Sequence, residues 1–328
     1  MFEIIYDPPA KPETRPVLTL PEVAARATEY ATQAKADATR KAYARSWRAF
    51  AEWCDGHQLS ALPAAPETVG LYLSAFAATH KINTCVAALA AISVRHRTDG
   101  HPLDTRHPAI KDVIRGIRRT AALAGIHTEK KTALLAHDIH AMVDSLPDTT
   151  AGIRDRALLL LGFAGAFRRG ELVGLNVEDL SLRPQGYAVT IRRGKTDQEG
   201  AGREVAILRA PNSTACPVRA IDAWLERSLI TTGPLFRPVD RFGVISPKRL
   251  GDKTVAYLIK RSAEKAGLDP ALYAGHSLRS GFATTAALNG ASESSIMRQT
   301  GHRSFAVVRG YIRGGGLFHD TAAGKLGL

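Results

Sequence analysis

Residues 157–172 read ALLLLGFAGAFRRGEL, and the fold of the second half of the chain turns on them. The apolar run from Ala157 to Phe167 is far short of the roughly 20 residues needed to cross a bilayer. It reads instead as part of a core helix opening at about Ile153 and closing at Gly165. The next helix starts in the neighbourhood of Gly170, so Arg168 stands at a helix junction beside a very hydrophobic segment. A guanidinium in that position needs an anion. Glu171 can supply it internally, and so can a bound ligand.

Working outward, the period changes downstream. Tyr187, Val189 and Ile191 alternate with other residues, as do Val205 and Ile207, with a polar, glycine-containing stretch from Gly194 to Gly202 between them. That pattern predicts a hairpin with a long tip. Helical spacing returns at about Pro217 to Leu229, Asp252 to Ala266, Ser277 to Leu288, Glu293 to Thr300 and Phe305 to Ile312. Upstream, a helix opens at about His137, preceded by a linker (125–133) that carries Lys130 and Lys131. Residues 22–124 are helical by pattern, and residues 1–21 are a Pro-rich tail.

Within 22–124, Tyr43, Trp47, Phe50 and Cys54 form one apolar stripe, on a helix that Thr39 is placed to cap. Ile82, Val86, Leu89 and Ile92 form a second stripe, which runs into the basic cluster Arg95, His96 and Arg97. Ile110, Val113, Ile114 and Ile117 form a third. Lys41, Arg45, Arg48, Arg95, Arg97, Lys111, Arg115, Arg118 and Arg119 lie on the opposite faces. One such face is ordinary solvated surface, but their accumulation suits a clamp that holds phosphates through a salt-sensitive, sequence-tolerant attraction.

Composition agrees with a nucleic-acid partner. The chain has 328 residues, enough for two domains, with Lys plus Arg at 44 against 31 acidic residues, a net charge of +13. A polyanion is the leading class of partner, and nucleic acid and an anionic membrane surface both qualify on charge alone. The first twenty residues contain Glu3, Asp7, Glu13 and four prolines, so they form no secretory signal, and a cytoplasmic protein is expected. Cys54, Cys85 and Cys216 make no CxxC pair and read as small buried hydrophobes rather than disulfide or zinc ligands.

Two further motifs carry chemistry. In His276-Ser277-Leu278-Arg279, a helical spacing of three sets an imidazole beside a guanidinium. Gly301-His302 is followed nine residues later by Tyr311, which taken alone reads as an amphipathic core residue. Taken together, the order Arg168, Lys195, His276-x-x-Arg279, His302, Tyr311 resembles the signature of the tyrosine recombinases, also called phage integrases. The segment Phe167 to Leu175 looks like the family's first-arginine box, and Lys195 falls in the hairpin tip where the family keeps its lysine. Arg169 adjoins Arg168, and alignment with Glu171 and Leu172 favours Arg168. The likeness covers about residues 22–313.

The resemblance implies a mainly α protein: a two-domain, C-shaped DNA clamp. Its helical core-binding (SAM-like) domain would be 22–124, and its mixed α/β catalytic domain, with one small antiparallel sheet, 134–328. It implies site-specific DNA recombination through a 3′-phosphotyrosine, on double-stranded DNA with paired half-sites, by a homotetramer that is a monomer when free. It also implies that no metal, ATP or other cofactor is needed. Preorganised donors stabilise the charge of a pentavalent phosphorus more than the ground state. Arg168 and Arg279 would supply planar forks for the non-bridging oxygens, and His302 a further donor. Tyr311 would be the nucleophile, and since a free phenol ionises near about pH 10 it needs a base, for which His276 is the candidate. The resemblance gives Lys195 the general-acid role and leaves Glu171 to orient Arg168. The segment Leu317 to Leu328 would dock on a neighbouring protomer. With no separate arm-binding domain apparent in residues 1–20, the simple Cre or Xer type is expected.

Other readings weigh less. Gly194-Lys195-Thr196 imitates the end of a P-loop, but Val189 stands where that motif needs glycine. His137 and His140 have helical spacing without HExxH or an evident third ligand, so a polar helix start explains them better. A type IB topoisomerase uses closely similar residues as a monomer, and a DNA-binding regulator would keep the fold with vestigial chemistry. Recombinant products from two sites, as against relaxed circles from one, separate the first two.

Overall fold

The computed structural model describes residues 18–34, 36–125, 131–192, 202–210, 213–302 and 304–315. Lys195, the hairpin tip around it and the segment from Leu317 to Leu328 lie outside these residues. The chain divides into two compact units, residues 1–128 and 129–328.

The first unit is helical: α1 (Leu20–Gln33), α2 (Asp37–Gly56), α3 (Pro66–Ala77), α4 (Ile82–Thr98) and α5 (Pro108–Leu123). Helix α2 packs on α4, and α3 on α5. Phe50, Cys54, Tyr72, Leu73, Cys85, Ile92 and Ile110 close the core. Three expectations shift here. Helix α2 opens at Asp37 with Ala36 as its N-terminal cap, so Thr39 sits inside the first turn and caps nothing. Helix α4 buries Cys85, Ala88, Ala91 and Ile92, while Ile82, Val86 and Leu89 are only half-buried. Its contacts with α2, α3 and α5 surround it too widely for one stripe to serve. His96 leaves the basic cluster altogether, being 1% exposed. Its Nε2 accepts the Ala64 N–H at 2.9 Å, so Nδ1 carries the hydrogen and donates to the Ile92 carbonyl at 2.9 Å.

The second unit is built around α7 (Thr150–Ala164), capped by Thr149, whose hydroxyl accepts the Gly152 N–H at 3.2 Å. Leu158 to Leu161 are all buried. A helix apolar on every side is stable only when covered on every side. Helices α6 (Ala136–Asp144), α8 (Arg169–Gly174), α9 (Pro217–Ser228) and α11 (Ser277–Leu288) do the covering. Among the described residues no helix is long and apolar enough to cross a membrane. Asp155 is a buried polar exception, accepting from Arg154 Nη2 and Arg261 Nη2, each at 2.6 Å. The start of α6 is polar as expected: Asp138 accepts the Leu135 N–H at 2.8 Å and lies 3.2 Å from His137.

The predicted hairpin is β2 (Gly186–Ile191) with β3 (Arg203–Leu208), antiparallel with Val189 opposite Val205 and Ile191 opposite Arg203. A strand that the sequence pattern does not announce, β1 (Leu180–Arg183), pairs with β2 to give the order β1-β2-β3. Helices α10 (Asp252–Lys265), α12 (Glu293–Thr300) and α13 (Phe305–Gly315) complete the unit. All three cysteines are free and buried.

Candidate active site

Gly165 ends α7, and the turn that follows places Ala166 at φ +50°. That left-handed conformation costs an alanine about 1–2 kcal/mol, and here it accompanies a specific contact: the Ala166 carbonyl accepts from Arg279 Nη1 at 2.7 Å. Arg168 is the N-terminal cap residue of α8. Glu171, one turn on, accepts the Arg168 N–H at 3.0 Å and the Arg168 Nη1 at 2.6 Å. One carboxylate thus satisfies an orphan helix donor and orients the guanidinium. The pair leaves the Arg168 side chain 20% exposed, free to meet a further anion. Arg169 turns elsewhere, to Asp252 at 3.8 Å.

His276 immediately precedes α11, and Arg279 lies in its first turn. His276 already has helical dihedrals, φ −87° and ψ −14°, and its carbonyl accepts the Ser280 N–H at 3.0 Å, so the spacing of three holds across the start of the helix. Arg279 is 0% exposed. Its Nη2 donates to His302 Nε2 at 3.0 Å, while its Nε is buried without a partner. Burial, then the nearby Arg168, pull its pKa down to about 10.

Gly301 closes α12 at φ +67°, its N–H donating to the Met297 carbonyl at 2.7 Å. Glycine is needed there for the backbone and for space, since a Cβ would lie 2.9 Å from Arg203 Nε. His302 follows. Its Nε2 accepts from Arg279, so Nδ1 bears the hydrogen and donates to Thr300 Oγ1 at 2.7 Å, whose own proton goes to the Ile296 carbonyl at 2.7 Å. Burial, then Arg279 and Arg168, push the His302 pKa down to about 4, so the ring is neutral at pH 7.

Tyr311, on α13, packs its ring beside Ala283, Ile296 and Val308. Its hydroxyl lies 2.6 Å from His276 Nε2, and its ring centroid 5.6 Å from that of His302. A cavity of about 680 Å³ opens beside it, lined by Lys131, Thr132, His276, Ser280 and Tyr311 among others. Arg168, His276, Arg279, His302 and Tyr311 therefore meet in one place. Sequence reasoning missed Arg203, the first residue of β3. Its Nη2 lies 3.4 Å from Glu171 Oε2, and its Nη1 donates to the Gln299 carbonyl at 2.7 Å. No motif marks it, and its partners are 32 and 96 residues away in sequence.

The basic residues expected on DNA all lie exposed on α2, α4 and α5. Lys41 pairs with Asp37 at 2.8 Å, Arg115 with Asp112 at 3.6 Å, and Arg95 with Asp99. Arg95 also lies over the Trp47 ring, 5.5 Å from its centroid.

Comparison with known proteins agrees with this geometry. The profile of the phage integrase family matches residues 132–314. The chain belongs to the phage integrase family. Members of this family, the tyrosine recombinases, cleave and rejoin DNA strands. An integrase/recombinase xerD homolog of Selenomonas ruminantium is 42% identical over 301 residues, covering 90% of this chain and 86% of its own. Recombinase cre of Escherichia phage P1 is 26% identical over 299 residues, 86% of this chain and 85% of its own. Among solved structures, a lambda integrase dimer bound to a COC′ core site matches the integrase-family fold with a TM-score of 0.59 at 15% identity, over 91% of this chain and 96% of that one. XerH recombinase bound to difH substrate matches with a TM-score of 0.56 at 19% identity, over 86% and 76%.

Proposed function

We propose that this protein recombines two defined DNA sites, with Tyr311 attacking a backbone phosphate. The observation that carries the reading is the Tyr311 hydroxyl, 2.6 Å from His276 Nε2, in the site that also holds Arg279, His302 and Arg168. The phenolic oxygen bonds to phosphorus as its proton passes to His276. The phosphorus bond to the 5′ oxygen breaks, and that oxygen takes a proton from Lys195, leaving a 3′-phosphotyrosine and a free 5′-hydroxyl. The phosphotyrosine keeps the bond energy needed for religation, so the exchange runs without ATP or metal.

Arg168 and Arg279 bind the non-bridging oxygens. The Arg168 fork is only partly engaged by Glu171 and the Arg279 Nε is unpartnered, so both have donors to offer. His302 is an acceptor in the DNA-free chain. Burial and then the neighbouring guanidiniums hold its pKa down; a phosphate seated between those guanidiniums offsets their charge and favours its binding a proton and donating to a phosphate oxygen. The exposed cations of α2, α4 and α5 hold the duplex. The first unit is the core-binding domain and the second the catalytic domain. The working form is a homotetramer on paired half-sites in the cytoplasm, assembled from monomers, with the segment from Leu317 to Leu328 docking on a neighbour.

The test is incubation with DNA flanking the protein's own gene, followed by denaturing electrophoresis. A covalent adduct formed by the wild type and lost in Tyr311→Phe is expected. An adduct that survives the substitution removes Tyr311 from the role.

A further inference from the structure

Arg203 holds a place in the site that no motif predicts. It is the first residue of β3, opposite Ile191 in the last pair of the β2–β3 ladder, and its side chain is 22% exposed. A half-exposed surface arginine would spread its donors into water. This one divides them between two elements: Nη2 on Glu171 Oε2 at 3.4 Å, Nη1 on the Gln299 carbonyl at 2.7 Å.

Each acceptor leads to a different part of the site. Glu171 uses its other oxygen, Oε1, to hold Arg168 at 2.6 Å. Gln299 sits in the last turn of α12, just ahead of Gly301 and His302, and its own side chain donates to the Ala164 and Ala206 carbonyls at 2.9 and 3.0 Å. Gly301 closes over Arg203 so tightly that a Cβ would lie 2.9 Å from its Nε. The guanidinium is therefore packed under the backbone that delivers His302 and tied to the carboxylate that orients Arg168. Burial lowers its pKa, and Arg168 lowers it further. A cation is kept there against its preference for water, with Glu171 as its compensating charge.

We propose that Arg203 is a positioning residue for strand cleavage, setting the separation between Arg168 and the Arg279–His302 pair by bridging Glu171 to the end of α12. It acts through Glu171 and the Gln299 carbonyl and does not touch the scissile phosphate. A lysine cannot replace it fully, because a single ammonium lacks the planar fork that reaches both acceptors. The inference rests on the recombinase reading above.

The experiment uses the full chain and a nicked duplex carrying the site on which the wild type forms its adduct. DNA affinity and the single-turnover rate of adduct formation are measured for Arg203→Lys, Arg203→Gln, Glu171→Gln and the Arg203→Gln/Glu171→Gln double variant, with a melting curve for each. Loss of one charge-assisted hydrogen bond predicts a rate about 10- to 100-fold lower for Arg203→Gln, a smaller loss for Arg203→Lys, and affinity within about threefold of wild type. Because the two residues act in series, the double variant is expected to be no slower than the worse single one. Wild-type rates in folded Arg203 variants, or losses that multiply in the double variant, overturn the positioning role and leave the recombinase reading standing. If Arg203→Gln fails to fold, Arg203→Lys with Glu171→Gln carries the same cycle. Failure of the wild type to form an adduct on any DNA overturns the recombinase reading, and this inference with it.

Discussion

The two units use positive charge in opposite ways. In the first, Lys41, Arg45, Arg48, Arg95, Arg97, Lys111, Arg115, Arg118 and Arg119 all stand exposed on helices whose apolar sides make the core, and the ion pairs they form are one turn apart on the same helix. Such exposed, solvent-screened pairs add little to stability. In the second, Arg279 and Arg154 are buried, and Arg168 and Arg203 are largely covered. Each is held by groups from its own or other elements. Exposed cations can reach any phosphate in any of several rotamers and so act by number. Buried ones are fixed in one geometry by their partners before a ligand arrives.

The largest effect expected from this contrast is on stability. Asp155→Ala should cost about 3–5 kcal/mol, because it strands the buried Arg154 without its anion, and chemical denaturation would measure it. A loss below about 1 kcal/mol would mean that the second unit treats its buried charges as surface ones. Next comes rate. Arg279→Lys should slow adduct formation about 100- to 1000-fold with DNA affinity little changed, and equal losses in both would erase the distinction between binding and chemistry.

A subtler consequence concerns pH. The His302 pKa of about 4 in the folded chain lies below the roughly 6.5 of an exposed imidazole, so between these values the unfolded chain binds more protons. Stability present above about pH 6.5 is therefore lost as the pH falls toward 4. In His302→Asn the dependence of melting temperature on pH across that window should be shallower than in the wild type. An unchanged slope would show that the ring is not held neutral by its surroundings.

The smallest effects belong to the first unit. Arg48→Ala or Arg118→Ala should each weaken DNA binding severalfold, and by a similar factor on unrelated sequences. Each should reduce the salt slope by about 1 and leave the single-turnover rate at saturating protein unchanged. A change in sequence preference would instead mark that residue as a reader of bases.

Much of the second unit was legible because its helices announce themselves by period, and Gly165 ends α7 as read, although α7 opens at Thr150 under the Thr149 cap, three residues before the expected Ile153. Strand β1 was not legible, since Ser181, Leu182 and Arg183 are exposed on an edge and show no alternation to read. The face of α4 was misplaced because three neighbours cover it, and His96 because its basic context outweighed a burial that depends on the Ala64 N–H, 32 residues away. The order Arg168, His276, Arg279, His302, Tyr311 pointed to the chemistry of the site, as spacing within short segments can. What the sequence by itself determined were local matters: helix periods, the glycine at a left-handed cap, the Glu171 reach to Arg168 across one turn, and the excess of positive charge. The tertiary structure alone decided that Arg279 reaches the Ala166 carbonyl and His302, that His302 is a neutral acceptor, and that Arg203 bridges Glu171 to α12. Those contacts join residues as many as 113 positions apart, and only packing brings such pairs within the few ångströms over which a hydrogen bond acts.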